Sequence, residues 1–184
     1  MSKSIFWTFR HFHGDSLGTF AKYPYLRMQI YKKIPYMALV KPKKFLGQHF
    51  LTDLSIARRI ADTVDACPDL PVLEVGPGMG VMTQSLMQKP RPLKVVELDS
   101  ESVDYLRRTY PDFEDNIIAD DFLKMHLDRT FQGGQFVLTG NYPYNISSQI
   151  FFKMLDYKDY IPCCTGISFK FHFFCIIIFI YGIN

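Results

Sequence analysis

The sequence is poor in cysteine, and its cysteines are not spaced for metal binding. Four of the 184 residues are cysteine, including the adjacent Cys163 and Cys164, and no pair has the C-x-x-C spacing. We therefore predict neither a zinc site nor a disulfide framework, and we expect thiols in a reducing cytoplasm. Glycine and proline number 11 each, which excludes a collagen-like or low-complexity chain.

The sequence also lacks long apolar runs. The wholly apolar stretch at 173–181 has nine residues, whereas a membrane-spanning helix needs about 18 or more. Residues 1–36 contain no apolar run of the length that a secretory signal peptide requires. We therefore predict no transmembrane helix and no signal peptide. The chain is nevertheless 48% hydrophobic, which is enough to form a core, and its length fits one domain of ordinary size.

Acidic residues are nearly missing from the first quarter of the chain. Residues 1–44 hold nine lysines and arginines against a single acid, Asp15, which gives +8, while the other 140 residues carry −5. A basic arm on an acidic body favours a polyanionic partner, either nucleic acid or a membrane surface. The alternative is an arm that is disordered and merely solvated.

The chain divides into three segments of different character. Residues 1–36 form a basic extension without clear periodicity, which we predict to be disordered; an organelle transit peptide is the alternative. Met37 is followed at once by regular patterning, which extends to residue 166, and we interpret it as the functional start. Residues 167–184 are so biased toward Phe and Ile that we interpret them as an aberrant apolar tail rather than as a buried strand.

The middle segment, residues 37–166, alternates strand-like with helix-like patterns. Short apolar runs predict strands at 72–75, 94–98, 116–119 and 136–139. Apolar residues at helical spacing predict helices over 56–64, 101–110 and 146–155, and Ser100 is the predicted cap of the second of these. A further helix is predicted between the glycines at 76–80 and residue 89. Strands that alternate with helices form βαβ units and a parallel sheet. The predicted fold class is therefore α/β.

A glycine-rich loop follows the first predicted strand. Gly76, Gly78 and Gly80 allow a ligand to approach the backbone closely, because a Cβ would block it. A dinucleotide fingerprint would need glycine where Val81 stands, so a dehydrogenase is disfavoured. Glu97 lies 21 residues after Gly76, at the end of the second strand, where a carboxylate can accept both ribose hydroxyls. The pattern therefore favours S-adenosylmethionine, an adenosine ligand that needs no pyrophosphate cradle. The alternative is that the glycine-rich loop is a purely structural turn.

Two further acidic sites lie at the ends of predicted strands. Asp99 is the competing acid for the ribose, although strand alternation directs it to the opposite face from Glu97. Asp120 and Asp121 follow the third strand, where the adenine of such a ligand would lie. One carboxylate there can accept a hydrogen bond from the adenine amino group. A cap for the following turn is an equally weighted alternative.

The tetrapeptide Asn141-Tyr142-Pro143-Tyr144 follows the fourth predicted strand. An exocyclic adenine amine is a poor nucleophile, and two acceptors on its N–H groups favour the form that attacks an electrophile. The Asn141 side chain and the Tyr142 carbonyl can supply these acceptors, and Pro143 fixes the turn. Tyr144 offers a face for stacking the extruded base, which contributes about 1–3 kcal/mol in comparable sites. A plain Asn-Pro turn is the structural alternative.

Several separated stretches together resemble one known family. They are residues 41–51 (KPKKFLGQHFL), 73–80 (LEVGPGMG), 96–99 (VELD), 119–123 (ADDFL) and 140–155 (GNYPYNISSQIFFKML). In this order they resemble the bacterial KsgA-type small-subunit ribosomal RNA adenine dimethyltransferases over about residues 39–166. The resemblance implies a Rossmann-like class I S-adenosylmethionine-dependent methyltransferase fold. It also implies methyl transfer to the amino groups of two adjacent adenosines near the 3′ end of small-subunit rRNA, in ribosome biogenesis.

The resemblance also assigns partners and site residues. The implied partners are small-subunit rRNA and the pre-ribosomal small subunit, bound by a monomer in the cytoplasm without a membrane or a metal. Contacts with S-adenosylmethionine are assigned to His49, Leu51, Gly76, Gly78, Glu97, Asp121 and Asn141. Contacts with rRNA phosphates are assigned to Lys41, Lys43 and Lys44. Many members carry Asn at position 49 and Leu at position 142, where the backbone carbonyl alone is needed.

The match to the family stops after the fourth predicted strand and its helix. The family's remaining strands and its small helical C-terminal domain have no counterpart, so we expect an incomplete sheet, poor stability and weak activity. The alternatives are a non-catalytic rRNA-binding assembly factor, an inactive fragment, or a methyltransferase that uses the same tetrapeptide on DNA adenine or protein glutamine. A mitochondrial relative is a variant of the first hypothesis. Residues 41–51 favour the rRNA family.

Overall fold

The structure is a computed structural model that describes residues 28–30, 54–143, 145–170 and 173–180. Within these residues it contains the strands β1 (Met28–Ile30), β2 (Val72–Val75), β3 (Leu93–Glu97), β4 (Ile117–Ala119), β5 (Val137–Tyr142), β6 (Cys163–Lys170) and β7 (Phe173–Ile180). Its α-helices are α1 (Leu54–Ala61), α2 (Thr83–Leu86), α3 (Ser100–Thr109) and α4 (Ser147–Asp156). Three 3-10 helices complete it, at Asp62–Ala66, Pro111–Asn116 and Leu127–Arg129.

One seven-stranded sheet organises the described residues, in the order β1-β7-β6-β5-β2-β3-β4. The five strands from β6 to β4 run parallel, while β7 is antiparallel to β6 and β1 is antiparallel to β7. Parallel neighbours require crossover connections, which the helices between these strands provide. The predicted α/β fold with a parallel sheet is confirmed.

Helices cover both faces of the central strands. Within β2, Val72 packs in a cluster with Ile60 and Leu106 of α1 and α3, whereas Leu73 packs in a second cluster with Ile150 of α4. All four residues of β2 are therefore buried, as expected for a parallel strand between two helical layers. This explains why the first predicted strand is a continuous run of buried positions rather than an alternating one.

Two of the four helices, α1 and α2, are shorter than their sequence patterns predicted, whereas α3 and α4 have the predicted length and are shifted by one residue. Helix α1 ends at Ala61 and continues as the 3-10 helix Asp62–Ala66, and α2 ends at Leu86 although its pattern extends to Lys89. The longest described α-helices, α3 and α4, have ten residues each. Within the described residues, no helix is long and apolar enough to cross a membrane.

The predicted cap of α3 is wrong by one residue. The side chain of Asp99, rather than that of Ser100, occupies the N-cap position, and its Oδ2 accepts from the backbone N–H of Ser102 at 3.0 Å and from its hydroxyl at 2.7 Å. These hydrogen bonds hold the pKa of Asp99 below its usual value. Aspartate is favoured here because its oxygen satisfies an N–H that lacks a partner within the helix. Asp99 is thus engaged by the helix, which leaves Glu97 as the candidate for a ribose.

The expectation that the sheet ends after its fourth strand is wrong. The predicted strands correspond to β2, β3, β4 and β5, but β6 continues the sheet in parallel and β7 pairs antiparallel with β6. The Phe and Ile bias of 173–180 that suggested an aberrant end also favours a strand, and β6 covers an edge that β5 would otherwise expose. Whether 167–184 is an aberrant tail stays a prediction.

Two of the four cysteines are not thiols in the structure. Cys67 and Cys163 form a disulfide with their Cα atoms 5.9 Å apart, although 96 residues separate them. Both are buried with Val64 and Ile167 on the face covered by α1, α2 and α3. The prediction of thiols is therefore wrong for this pair, because only the fold brings them together. Cys164 is a free, buried cysteine.

Candidate functional site

The predicted site residues of four strands meet at one edge of the sheet. Val75 at the end of β2 pairs with Val96 of β3 on one side and with Gly140 of β5 on the other. Glu97 at the end of β3 pairs with Ala119 of β4. The glycine loop, the ribose candidate, the acidic pair and the tetrapeptide therefore leave the sheet from neighbouring parallel strands. This is the edge at which ligands bind in open α/β sheets.

The glycine loop has an open side and a packed side. Gly76, Gly78 and Gly80 all adopt positive φ angles of 68°, 53° and 75°, a conformation that favours glycine. A Cβ at Gly76 or Gly78 would meet no atom within 4 Å, whereas a Cβ at Gly80 would lie 3.0 Å from side-chain atoms of Leu106 and Tyr110. The first two glycines thus border open space, and the third packs the loop against α3.

Glu97 lies at the ligand-binding edge of the sheet and also accepts a hydrogen bond from the glycine loop. Its side chain is buried, and its Oε1 accepts from the backbone N–H groups of Leu98 at 2.9 Å and Asp99 at 3.0 Å. Its Oε2 accepts from the N–H of Gly78 at 3.0 Å. A carboxylate has about four acceptor positions, so about one position on Oε2 is left for a ligand hydroxyl. Glu97 ends β3 as predicted, but its occupied positions leave room for about one ribose hydroxyl rather than the two that were expected, and its contact with a ribose stays a prediction.

Glu74 is a buried carboxyl group that the sequence analysis did not single out. It lies in β2 with 1% of its surface exposed, and burial raises its pKa to about 8, with the charge of Glu97 adding to this effect. The Thr83 hydroxyl donates to its Oε2 at 2.7 Å and opposes the rise. This bond ties β2 to α2 across the glycine loop. An acid inside an otherwise apolar strand was the signal that could have identified it.

The acidic pair after β4 forms a tight turn beside Glu97. The N–H of Asp120 donates to the backbone carbonyl of Glu97 at 3.1 Å. The Asp121 Oδ1 accepts from the N–H of Leu123 at 2.9 Å, and its Oδ2 lies 3.3 Å from the ammonium group of Lys124. These contacts match the turn-capping alternative, and because the side chain of Asp121 is partly exposed, its Oδ2 can still accept from a ligand.

The first two residues of the tetrapeptide end β5, and α4 begins at Ser147. Asn141 is partly exposed at the end of β5, and the carbonyl of Pro143 accepts from the N–H of Ile146 at 3.2 Å. The side chain of Tyr142 is fully buried, and its ring lies edge-on to Phe151 with the centroids 5.7 Å apart. Only the backbone of Tyr142 can therefore serve a ligand, which is the role that the sequence analysis predicted for it.

Two large apolar side chains that were not predicted as site residues are exposed at the same edge. Met79 in the glycine loop is 52% exposed, and Leu98 directly after Glu97 is 70% exposed. Large apolar residues at this edge offer a surface for a flat, partly apolar ring. Sequence patterning did not point to them, because each stands alone among polar or glycine neighbours.

Several predicted site residues lie outside the described residues, so their roles stay predictions. They are His49, Leu51 and Tyr144, together with the basic residues Lys41, Lys43 and Lys44. The structure brings the other predicted side chains and backbone groups to one edge, but it does not test what they bind. Among the residues it describes, no three His, Cys, Asp or Glu side chains are grouped so as to hold a metal ion.

Residues 40–169 match the model of the family described as ribosomal RNA adenine dimethylase. The chain is also 78% identical over 134 residues to the ribosomal RNA small subunit methyltransferase A of Phocaeicola vulgatus. The aligned residues make up 73% of this chain and 48% of that protein. The chain thus spans about half the length of the curated relatives that it matches.

Solved structures show a similar fold. The 23S rRNA methyltransferase ErmE shares 33% identity with a TM-score of 0.55, covering 65% of this chain and 48% of that one. TrmN from Thermus thermophilus shares 13% identity with a TM-score of 0.54, covering 70% of this chain and 49% of that one. At so low an identity, the second likeness concerns the fold alone.

Proposed function

Because this chain belongs to the ribosomal RNA adenine dimethylase family, we propose that it transfers methyl groups from S-adenosylmethionine to two adjacent adenosines of small-subunit rRNA. The acceptors are the exocyclic amino groups of the adenines, and the reaction serves ribosome biogenesis. The chain spans about half the length of its curated relatives, so the activity must be tested on this chain itself.

The observation that carries the proposal is the meeting of two kinds of group at one sheet edge. The open glycine loop and Glu97 come from β2 and β3, while Asn141 comes from β5, which pairs with β2. A transferase needs its donor and its acceptor next to each other, because a fixed geometry replaces a bimolecular encounter. Neighbouring strands of one sheet provide that proximity.

The residues at this edge fit S-adenosylmethionine. A Cβ would fill the open space above Gly76 and Gly78, so the loop can accept the methionine portion at close range. Glu97 keeps one acceptor position for a ribose hydroxyl, and the Asp121 Oδ2 can accept from the adenine amino group. Leu98 adds an exposed apolar surface. When bound, this cofactor supplies an electrophilic methyl group on a sulfonium.

The tetrapeptide supplies the acceptors for the target amine. The Asn141 side-chain oxygen and the Tyr142 carbonyl each accept one N–H of the adenine, which favours the form whose lone pair can attack. Pro143 restricts the backbone beside this carbonyl, and Tyr144 stacks on the extruded base. S-adenosylmethionine held beside the tetrapeptide would supply the methyl group, whose bond to sulfur would break as its bond to the amine nitrogen formed. The surplus proton of the amine would pass to water, so no protein base is needed.

The partners follow from the same proposal. Lys41, Lys43 and Lys44 contact rRNA phosphates near the target loop, and His49 and Leu51 complete the cofactor site. The substrate is small-subunit rRNA within the pre-ribosomal small subunit, met in the bacterial cytoplasm by a monomer without a metal. Methyl transfer to DNA adenine or protein glutamine is not favoured, since the family match covers the rRNA-type segment from residue 40 onward.

The direct test is transfer of a labelled methyl group to small-subunit rRNA by the 184-residue chain. We expect N6,N6-dimethyladenosine in the product, and we expect Asn141→Ala to lower the rate about 100-fold or more, because it removes one preorganised acceptor. Asn116→Ala is the matched control, since Asn116 ends a 3-10 helix away from the tetrapeptide.

Three outcomes would contradict the proposal. Methyl transfer to DNA or protein but not to rRNA would assign a different substrate. An Asn141→Ala variant as active as the Asn116→Ala control would remove the tetrapeptide from the chemistry. Binding of rRNA by both variants without any methyl transfer would favour the non-catalytic assembly factor.

A further inference from the structure

The pairing between β5 and β6 is interrupted directly below the tetrapeptide. Ladder pairs join Leu138 to Cys164, and pairing resumes with Asn141 opposite Ile167. Between them, Thr139 and Gly140 of β5 form no ladder pair with Thr165 and Gly166 of β6 within the described strands. The register is the same on both sides of this gap, so it is not a bulge. The backbone groups inside the gap need other partners, because they are buried.

The Tyr142 hydroxyl supplies one of these partners. It donates to the backbone carbonyl of Thr165 at 2.6 Å and lies 3.3 Å from the Cys164 sulfur. The tyrosine has one hydroxyl proton, which is directed at the carbonyl, so the Cys164 thiol is the donor of the second contact. The hydroxyls of Thr139 and Thr165 close the gap on the other side, 3.0 Å apart.

Two glycines make room for the Tyr142 ring. A Cβ on Gly140 would lie 2.9 Å from the ring and 2.7 Å from the carbonyl oxygen of Val75, and a Cβ on Gly166 would lie 2.6 Å from the ring. Gly166 also has a φ of +138°, which few other residues adopt. The ring is therefore enclosed by backbone on both sides and by Phe151 at its edge, so it has one position.

We propose that Tyr142 is a positioning residue whose side-chain hydroxyl locks the tetrapeptide to β6. By bridging the gap in the ladder, the hydroxyl fixes the backbone from which the Tyr142 carbonyl and the Asn141 side chain reach the amine. This inference rests on the proposed function for its catalytic consequence. Its structural consequence, a locally ordered backbone at residues 141 and 142, does not depend on that function.

Tyr142→Phe tests the inference, because phenylalanine keeps the ring and removes only the hydroxyl. We expect amide hydrogen exchange at positions 141 and 142 to become at least about fivefold faster, while β2 and β3 change less than about twofold. Tyr110→Phe is the matched control, because the Tyr110 hydroxyl is buried and has no hydrogen-bond partner among the described residues. This control should leave exchange in β5 unchanged.

The kinetic arm separates positioning from general stability. We expect Tyr142→Phe to lower kcat for methyl transfer about tenfold and to leave the KM for S-adenosylmethionine unchanged, since the glycine loop is intact. Unchanged exchange at positions 141 and 142, or exchange that accelerates equally in β2, would overturn the inference. An unaltered chain that transfers no methyl group would contradict the proposed function alone, because the exchange arm would still decide the role of Tyr142.

A second measurement covers the case in which Tyr142→Phe does not fold. In the unaltered chain, the hydroxyl proton of Tyr142 should exchange slowly enough with water to give its own NMR signal, because it is buried and bonded to the Thr165 carbonyl. A hydroxyl proton that exchanges as fast as that of an exposed tyrosine would overturn the inference without any variant.

Discussion

The two halves of the candidate site are built in opposite ways. The glycine-loop half (β2, β3 and the loops after them) is held by backbone N–H groups that donate to the Glu97 carboxylate, and it borders open space at Gly76 and Gly78. The tetrapeptide half (β5, β6 and residues 140–143) is held by the buried side chain of Tyr142 and has no free space around Gly140. A loop that receives a ligand thus stays open, and a backbone that presents acceptors is packed tightly.

Glycine serves a different need in each half. Gly76 has a positive φ with room for a side chain, so its backbone conformation requires glycine. Gly140 has no such φ, but a Cβ there would collide with backbone and with the Tyr142 ring. The comparison therefore separates conformational strain from steric exclusion.

The largest effect concerns the pH dependence of the glycine-loop half. Burial raises the pKa of Glu74 to about 8, so the folded state binds more protons than the unfolded state between about pH 4.5 and 8. The stability due to this group is complete below pH 4.5 and is lost as the pH rises through 8. Because one pKa unit corresponds to about 1.4 kcal/mol, the loss amounts to at most about 5 kcal/mol.

Denaturant unfolding of the parent and of Glu74→Gln between pH 5 and pH 9 checks this prediction. Gln cannot ionise, so the variant should lose much less stability over this range and should exceed the parent at pH 9. The Asp156→Asn variant is the control, since Asp156 is an exposed acid at the end of α4. A parent whose stability is flat over this range would mean that Glu74 is ionised at neutral pH.

The next effect concerns the bond that joins the two halves. Cys67 lies just before β2, the first strand of the glycine-loop half, and Cys163 begins β6 of the tetrapeptide half. Their disulfide closes a loop of 96 residues. Restriction of the unfolded chain by a loop of this length stabilises the fold by about 4.7 kcal/mol. We expect reduction to lower the free energy of unfolding by that amount in the parent, and to have no further effect on Cys67→Ser. Equal denaturation curves with and without reductant would contradict the prediction.

Two alanine substitutions compare the glycines directly. Gly140→Ala should lower the free energy of unfolding by about 3 kcal/mol, because the Cβ overpacks a rigid backbone. Gly76→Ala should cost about 1 kcal/mol, which is the strain of a positive φ without a collision. Urea unfolding of both variants measures the difference, and Gly76→Ala should in addition weaken cofactor binding. Equal losses in the two variants would show that steric exclusion does not distinguish the halves.

The last effect, which is measured on binding rather than on unfolding, concerns the anchor of the glycine loop. Glu97→Gln replaces one carboxylate oxygen by an amide NH2, so it loses acceptors for the Gly78 N–H and for a ribose hydroxyl. Hydrogen bonds to a charged group contribute about 1.5–3 kcal/mol, so we expect the Kd of S-adenosylmethionine to rise about 10- to 100-fold by calorimetry. Glu101→Gln, on the exposed first turn of α3, should leave the Kd unchanged. If the Kd of S-adenosylmethionine rose equally in both variants, the loss of one negative charge, rather than the loss of the Glu97 contacts, would explain the weaker binding.

The glycine-loop half was largely predictable from the sequence, because its signals are local. The spacing from Gly76 to Glu97 placed strand, loop, helix and acid in order, and the structure has Glu97 at the end of β3 beside that loop. Its contact with the Gly78 N–H was not foreseen, because it depends on the path of the loop in space. The capping role of Asp99 was assigned to its neighbour, since both residue types cap helices.

The tetrapeptide half was predictable only in part. The position of Asn141 and Tyr142 at the end of a strand followed from their place after an apolar run. The strand that supports them was not predicted, because the alternating residues 167–170 of β6 were grouped with the Phe- and Ile-rich residues that follow them. The bond from Tyr142 to Thr165 and the disulfide to Cys67 join residues far apart in sequence, and only the fold reveals them.

Binding of the methyl donor at this sheet edge can be measured by the thermal melt of the 184-residue chain with and without S-adenosylmethionine. A cofactor at about 100 times its Kd stabilises the folded state by about 2.7 kcal/mol, which raises the Tm of a domain of this size by roughly 5–10 °C. We predict one cooperative transition that shifts upward by this amount, and a smaller shift in Glu97→Gln. A transition that does not move at millimolar cofactor would show that this edge does not bind the methyl donor, and one that moves equally in Glu97→Gln would show that Glu97 takes no part in the binding.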